Sequence, residues 1–373
     1  MLGVSPPGSP RADTRDPDIR ACARDDVSGV DAVLREHVAA HTALLTGIHP
    51  DVAPLADYFE RALTGGKRLR AAFCLWGARG ATGGELPDGT LETAAAIELF
   101  HLAALIHDDV MDHSDERRGL PTAHRHFADR HRRTGLAGES DDFGQAIAIL
   151  AGDLCLTWSD DLIADAVSAL PTPIRRRTRA VWSTMRDETI GGQYLDILGQ
   201  TLPTASKSRT QLVLHFKSAK YTVAHPLRLG GALGGASDQL MGAYESLGLI
   251  AGEAFQLRDD LLGVFGNAAQ TGKPVVDDIR EGKRTLLVAV AAERANPIQQ
   301  QHLSENLGNP DLTEEGLAEV CRVFEETGAA DYVEQRITQL AAEAEQAIDE
   351  LPVDLMTRVA LRDLVARCVW RTS

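Results

Sequence analysis

LETAAAIELFHLAALIHDDVMD, residues 91–112, is the stretch on which the reading of the fold turns. Its apolar residues do not form a single stripe. At 3.6 residues per turn they fall on nearly every side, which predicts a helix buried by several neighbours at once. Thr90 is read as its N-cap with Glu92 in the first turn, and Gly119-Leu120-Pro121 as the end of the pattern. A helix of this kind has no obvious reason to end in Asp108, Asp109 and Asp112. Asp108 and Asp112 are i and i+4 neighbours, and two like charges so placed cost roughly 0.2–0.5 kcal/mol. Burying them without a counter-charge costs several kcal/mol each, or forces them to protonate. A strong cation between them removes the difficulty.

Outward from this helix the chain continues in the same style. Ala and Leu dominate, and alternating runs of Val, Ile, Thr and Tyr are absent. Helices are predicted over 147–169, 174–199, 209–234, 239–264 and 283–295, with polar loops at 131–145 and 266–282. The fold class is all-α. Residues 1–25, rich in Pro, Gly, Ser and charge, read as a disordered tail, and 26–373 as one domain. A net charge of −16 argues against nucleic acid as a partner. The five cysteines show no CxxC or metal spacing, which points to a reduced, cytoplasmic setting. No uncharged apolar run reaches 18 residues, so no membrane span is expected.

A second acidic cluster, QLRDDLLG at 256–263, again interrupts an apolar helix with Asp259 and Asp260, and Gln256 shares their face. Other Asp pairs, at 141–142, 160–161 and 277–278, lack that context and read as solvated surface. Carboxylates on rigid helices suit Mg²⁺, which keeps several waters and is completed by substrate phosphates. Such a site also needs phosphate-binding cations. GGKRLR supplies Lys67 and Arg70, ERRG supplies Arg117 and Arg118, FKSAK supplies Lys217 beside Ser218, TGKP supplies Lys273, and EGKR supplies Lys283. Each alone is an ordinary surface charge. Together with two acidic helices they describe a cavity for metal-bridged diphosphates.

In this order and spacing GGKRLR, His101, DDVMD…RRG, GGQYLD, FKSAK, FQLRDD and GKP…EGKRT make the chain, from about residue 30 onward, resemble the trans-isoprenyl diphosphate synthases of the polyprenyl synthetase family, its actinobacterial geranylgeranyl-type members most of all. The resemblance implies an isoprenoid synthase helical bundle around a deep central cavity, working as a homodimer with Mg²⁺. It implies condensation of isopentenyl diphosphate with an allylic diphosphate (dimethylallyl, geranyl or farnesyl) in head-to-tail 1'-4 elongation. Asp108, Asp109 and Asp112 would hold metal on one wall, and Asp259 with Asp260 on the other. Arg117, Lys217 and Lys273 would bind the allylic diphosphate, and Lys67, Arg70, His101 and Arg118 that of isopentenyl diphosphate. Gln193, Asp196, Ser218 and Gln256 would line the reacting centre, and Lys283 would close it. The released diphosphate would take the proton, so His107 is structural.

The chain departs from the family pattern where Gly263 replaces the last Asp of the second motif and Asn267 replaces another. One carboxylate fewer should weaken metal affinity. The resemblance also implies that the growing chain runs along the helix carrying the first motif, towards its N-terminus, so that helix phase sets product length. C15 producers resemble one another in carrying aromatics four and five residues before the first motif. Ala103 and Ala104 stand there, and Phe100, one turn deeper, is the expected floor for a C20 product, geranylgeranyl diphosphate. If Phe100 instead points into the core, a product of C25 or longer follows. Three rival readings remain at this level. A His-Asp phosphohydrolase leaves the second acidic helix unexplained. A class I terpene cyclase has no need of Lys67 and Arg70. A non-catalytic synthase subunit typically lacks the first acidic motif.

Overall fold

A computed structural model describes residues 17–117, 119–202, 206–266 and 277–370. Helices α1 (Pro17–Ile48), α2 (Ala53–Ala62), α3 (Leu69–Thr82) and α4 (Thr90–Met111) are followed by a two-residue hairpin, β1 (Glu116–Arg117) with β2 (Leu120–Pro121). Then come α5 (Ala123–Thr134), α6 (Ser140–Ser168), α7 (Thr172–Thr201) and α8 (Lys207–Val213). A π-helix (Leu214–Ala224) leads without a break into α9 (His225–Leu233), and α10 (Asp238–Phe265) follows. The C-terminal part adds α11 (Asp277–Arg280) and helices over Leu286–Arg294, Pro297–Asn306, Glu314–Glu326, Ala329–Asp349 and Leu355–Val369. The fold is all-α, as the sequence predicts.

The 91–112 helix lies at the centre. Every residue from Thr93 to Phe100 is buried, and α1, α3, α6 and α9 all pack against α4. This is the all-round burial that its composition calls for. No described helix is long and apolar enough to cross a membrane.

Several boundaries differ from the sequence reading, three of them with a visible physical setting. Helix α1 already begins at Pro17, inside the 1–25 segment read as tail, and Asp26, the first residue assigned to the domain, is the buried partner of Arg79, whose two terminal nitrogens reach it at 2.6 and 2.8 Å. Val30, Leu34 and Val38 then continue the buried stripe. The N-cap of α4 is Gly89 in the left-handed region, and Thr90 instead donates to the Pro87 carbonyl at 2.6 Å. The loop at 131–145 shrinks to 135–139, since Arg125 and Arg132 pair with Asp141 across the α5–α6 junction.

The π-helix has no sequence signature of its own. It lies between α7 and α10, where a Cβ at Gly192 would overlap the Lys217 backbone and one at Gly252 would overlap Ala219. Wide i→i+5 turns of this kind cluster at functional sites. Here the π-helix carries Lys217 and Ser218.

Candidate active site

At the C-terminal end of α4, Asp108 Oδ1 accepts hydrogen bonds from Gln193 Nε2 at 3.0 Å and from Lys217 Nζ at 3.1 Å. Lys217 also donates to Asp196 Oδ2 at 2.6 Å. Three elements therefore converge on one cation: α4, the π-helix, and α7 with its GGQYLD segment. Burial opposes ionisation of Asp108, but Lys217, Lys283 and Arg117 outweigh it and hold the carboxyl below its usual range. Burial and the charge of Asp108 push Asp112 the other way, upward.

The second wall is α10. Asp260 Oδ1 accepts from Gln256 Nε2 at 2.8 Å, an i,i+4 pair on the same face as Asp259 and Gly263. Burial raises the Asp260 carboxyl to about 7, with Asp278 and Asp259 adding to the rise against the Gln256 hydrogen bond. Between the walls stands Lys283. Its ammonium lies 3.3 Å from Asp112 Oδ2, 2.9 Å from Asp278 Oδ1 and 2.7 Å from Glu281 Oε2. Glu281 in turn accepts from Ser114 Oγ at 3.0 Å, tying the loop after the first motif to the loop after the second. Burial, helped by Asp112 but opposed by Lys283, raises the Glu281 carboxyl to about 7.

A third group sits beside α4. Arg70 faces His101 Nε2 at 3.2 Å, donates to Thr222 Oγ1 at 3.0 Å, and lies with its guanidinium carbon 4.5 Å from the centre of the Tyr221 ring. Arg68 fixes this segment. It adopts the left-handed conformation (φ 47°) and is held there by Asp31 at 2.9 Å, the Leu63 carbonyl at 2.7 Å and Glu98 at 3.4 Å. Lys67 is exposed at the entrance to α3, and Ser218 is half-buried next to Lys217. Below Asp108, Ala104 is half-buried, Ala103 fully buried, and Phe100 packs edge-on against Trp182 and Tyr221, ring centres 5.9 and 5.7 Å away.

Two expectations need correction. Asp109 lies outside the cluster. One residue on from Asp108 it is rotated by about 100°, is 3% exposed, and receives both Nε (2.9 Å) and Nη2 (2.5 Å) of Arg117. Arg117 is thereby occupied with Asp109, and its Nη2 reaches only to 4.0 Å from Asp108. The sequence reading also passed over Asp278 and Glu281, because a DD pair outside an apolar helix resembles solvated surface. The phrase DDIREGKR, carrying Lys283 itself, was the available signal. Arg118, Lys273 and Asn267 lie outside the described residues. His107 hydrogen-bonds the Ile149 carbonyl of α6 at 3.1 Å, which is a structural role.

Among the described residues no three carboxylate, His or Cys groups converge as ligands of one ion. The donor set nonetheless suits a hard cation. Carboxylates outnumber the two lysines, and buried Asp112 Oδ2 makes no hydrogen bond among the described residues, its charge being met by the Lys283 ammonium at 3.3 Å. Mg²⁺ takes only one or two protein carboxylates when phosphates complete its shell.

The sequence pattern of the polyprenyl synthetase family matches residues 52–324. A geranylfarnesyl diphosphate synthase of Aeropyrum pernix is 32% identical over 83% of this chain and 91% of its own. A geranylgeranyl diphosphate synthase of Methanosarcina mazei is 31% identical over 77% of this chain and 80% of its own. Among solved structures, a geranylgeranyl pyrophosphate synthase of Corynebacterium glutamicum, complexed with isoprenyl diphosphate and magnesium, superposes with a TM-score of 0.87 at 39% identity, covering 91% of this chain and 97% of that one. The chain belongs to the polyprenyl synthetase family and is a prenyltransferase.

Proposed function

We propose that the chain condenses isopentenyl diphosphate with an allylic diphosphate, head to tail, and releases geranylgeranyl diphosphate. The observation that carries this reading is the pair of acidic walls, with Lys217 held at the first by Asp108 and Asp196 and Lys283 held between the two by Asp112 and Asp278. Asp108 and Asp112 on one side and Asp259 with Asp260 on the other are the residues that would hold Mg²⁺. Once bound there, the metal would supply charge neutralisation for the departing diphosphate.

The chain's own residues do the rest. Burial works against both lysines, but Asp108 and Asp196 keep Lys217 protonated and Asp278, Asp112 and Glu281 keep Lys283 so. They are therefore permanent donors to the diphosphate oxygens as the allylic C–O bond breaks. Lys273 belongs to this proposed set as well. Gln193 and Asp196 orient Asp108 and Lys217, and Gln256 orients Asp260. Arg117, clamped on Asp109, adds positive charge behind the first wall. Arg70, His101 and Lys67, with Arg118, offer the second diphosphate a separate cationic seat, which places the double bond against the allylic carbon. The new C–C bond forms there, and the proton lost passes to the released diphosphate. The carbocation must be kept from water, and the buried surface of Phe100, Trp182 and Tyr221 suits that task. Phe100 is the proposed floor that ends growth at C20, with Ala103 and Ala104 leaving room above it.

The same reading includes a cytoplasmic homodimer. Ile190, Tyr194 and Ile197 form an exposed apolar stripe on α7, at 59, 66 and 38% exposure, which a second copy would cover; Ile149 and Leu150 of α6 are exposed as well. The described cysteines are all free thiols. Incubation of the purified chain with isopentenyl diphosphate, each allylic primer and Mg²⁺, followed by product analysis, tests the reaction. Release of a cyclic hydrocarbon from the allylic substrate alone would replace it with a cyclase.

A further inference from the structure

On α10 the face that carries Asp259 and Asp260 continues to residue 263, three and four positions on. Gly263 offers no side chain there. The space is filled from outside the helix, because a Cβ built at 263 would overlap Asp278 Oδ2, while the Asp278 Cβ stays at an ordinary 3.9 Å. The overlap is therefore with the carboxylate alone. The other oxygen of that carboxylate, Oδ1, accepts from Lys283 Nζ at 2.9 Å, and the same ammonium reaches Asp112 Oδ2 on the opposite wall at 3.3 Å. A through-space chain thus runs from α10, by way of Asp278 and Lys283, to α4.

We infer that Asp278 supplies the third carboxylate of the second acidic wall, seated in the gap that Gly263 leaves, and that it positions Lys283 between the two walls. The inference rests on the functional reading above and adds to it a positioning residue that α10 itself does not contain. The shortened motif is then complete in space, although it is incomplete along the helix. A weaker second wall followed from counting one helix. On this geometry Gly263→Asp does not repair the motif. It expels a carboxylate that is already in place and sets a new one against it.

The test is a Mn²⁺ titration of the full chain in the presence of inorganic pyrophosphate, followed by electron paramagnetic resonance, with thermal melts of the metal-free protein alongside. Asp278→Asn should weaken Mn²⁺ binding about tenfold, and so should Gly263→Asp. The double variant Gly263→Asp/Asp278→Ala should return to within about threefold of wild type. In the metal-free melts, Gly263→Ala should lower the melting temperature with Asp278 present and raise it in an Asp278→Ala background. Asp278→Asn with unchanged Mn²⁺ affinity overturns the inference, as does a double variant whose loss is the product of the two single losses. Failure of wild type itself to bind Mn²⁺ with pyrophosphate overturns the functional reading, and this inference with it.

Discussion

Phe100→Ala asks the most of this structure, because one side chain is held to decide product length while also packing the core. Along α4, Ala104 lies about 6 Å below Asp108 and Phe100 about 6 Å below that, at 1.5 Å per residue. The second interval is about one isoprene unit. Removing the Phe100 ring should therefore admit at least one further unit, shifting the product from C20 to C25 and beyond, with the first condensations little changed. The ring is 2% exposed and meets Trp182 and Tyr221 edge-on. Deleting it should cost about 3–5 kcal/mol, which for a chain of this size lowers the melting point on the order of 5–10 °C. Phe100→Leu should show both effects in smaller measure. The assay uses farnesyl diphosphate and labelled isopentenyl diphosphate with chromatography of the dephosphorylated products, well below the variant's melting point. A destabilised variant that still stops at C20, or a wild type already making longer chains, would show that Phe100 is core and not floor.

Three further outcomes follow from the same contacts. Asp108→Ala should keep its helical circular dichroism and lose about 10²–10³ in condensation rate, the usual scale for an electrostatic group at developing charge; an active variant would remove the first wall from the mechanism. Asp109→Asn should act on stability instead, since breaking a buried ion pair costs about 3–5 kcal/mol; weakened Mn²⁺ binding at an unchanged melting point would instead make Asp109 a ligand. Glu188 accepts from His225 at 2.7 Å and from Lys220 at 2.8 Å, and although burial opposes this, those partners bring its carboxyl down to about 2. A lowered carboxyl contributes stability above its unfolded value near 4.5 that is lost as pH falls towards 2, and because Glu188 is partly open to water, screening holds that contribution to about 1 kcal/mol. Glu188→Gln should thus be least stable relative to wild type above pH 5, with the gap narrowing below pH 4 and closing only towards pH 2 in paired thermal melts; a gap that stays constant would contradict the sign.

The sequence revealed those parts of the site that depend on local phase. The central helix was legible because its apolar residues surround the axis, and both acidic clusters were legible because each breaks such a helix. What escaped depended on distant partners. Residues 17–25 look like tail, yet α1 runs through them to Asp26, which Arg79, 53 positions on, holds in place. Asp278 looks like surface until Gly263 leaves it a seat. The π-helix depends on α7 and α10 closing in at Gly192 and Gly252, which no window of the sequence contains. The misplacement of Asp109 is of another kind. Its 100° turn away from Asp108 is implicit in the numbering, but the adjacency of two aspartates in the motif obscured it.

The most direct measurement is the product formed by the wild-type chain from isopentenyl diphosphate and dimethylallyl, geranyl or farnesyl diphosphate, with Mg²⁺ and again with excess chelator. Two acidic walls with Lys283 between them, and the floor proposed at Phe100, predict geranylgeranyl diphosphate from every primer that is accepted, and none with the chelator. Elongation that survives the chelator, or no elongation of any primer with Mg²⁺ present, would contradict the account.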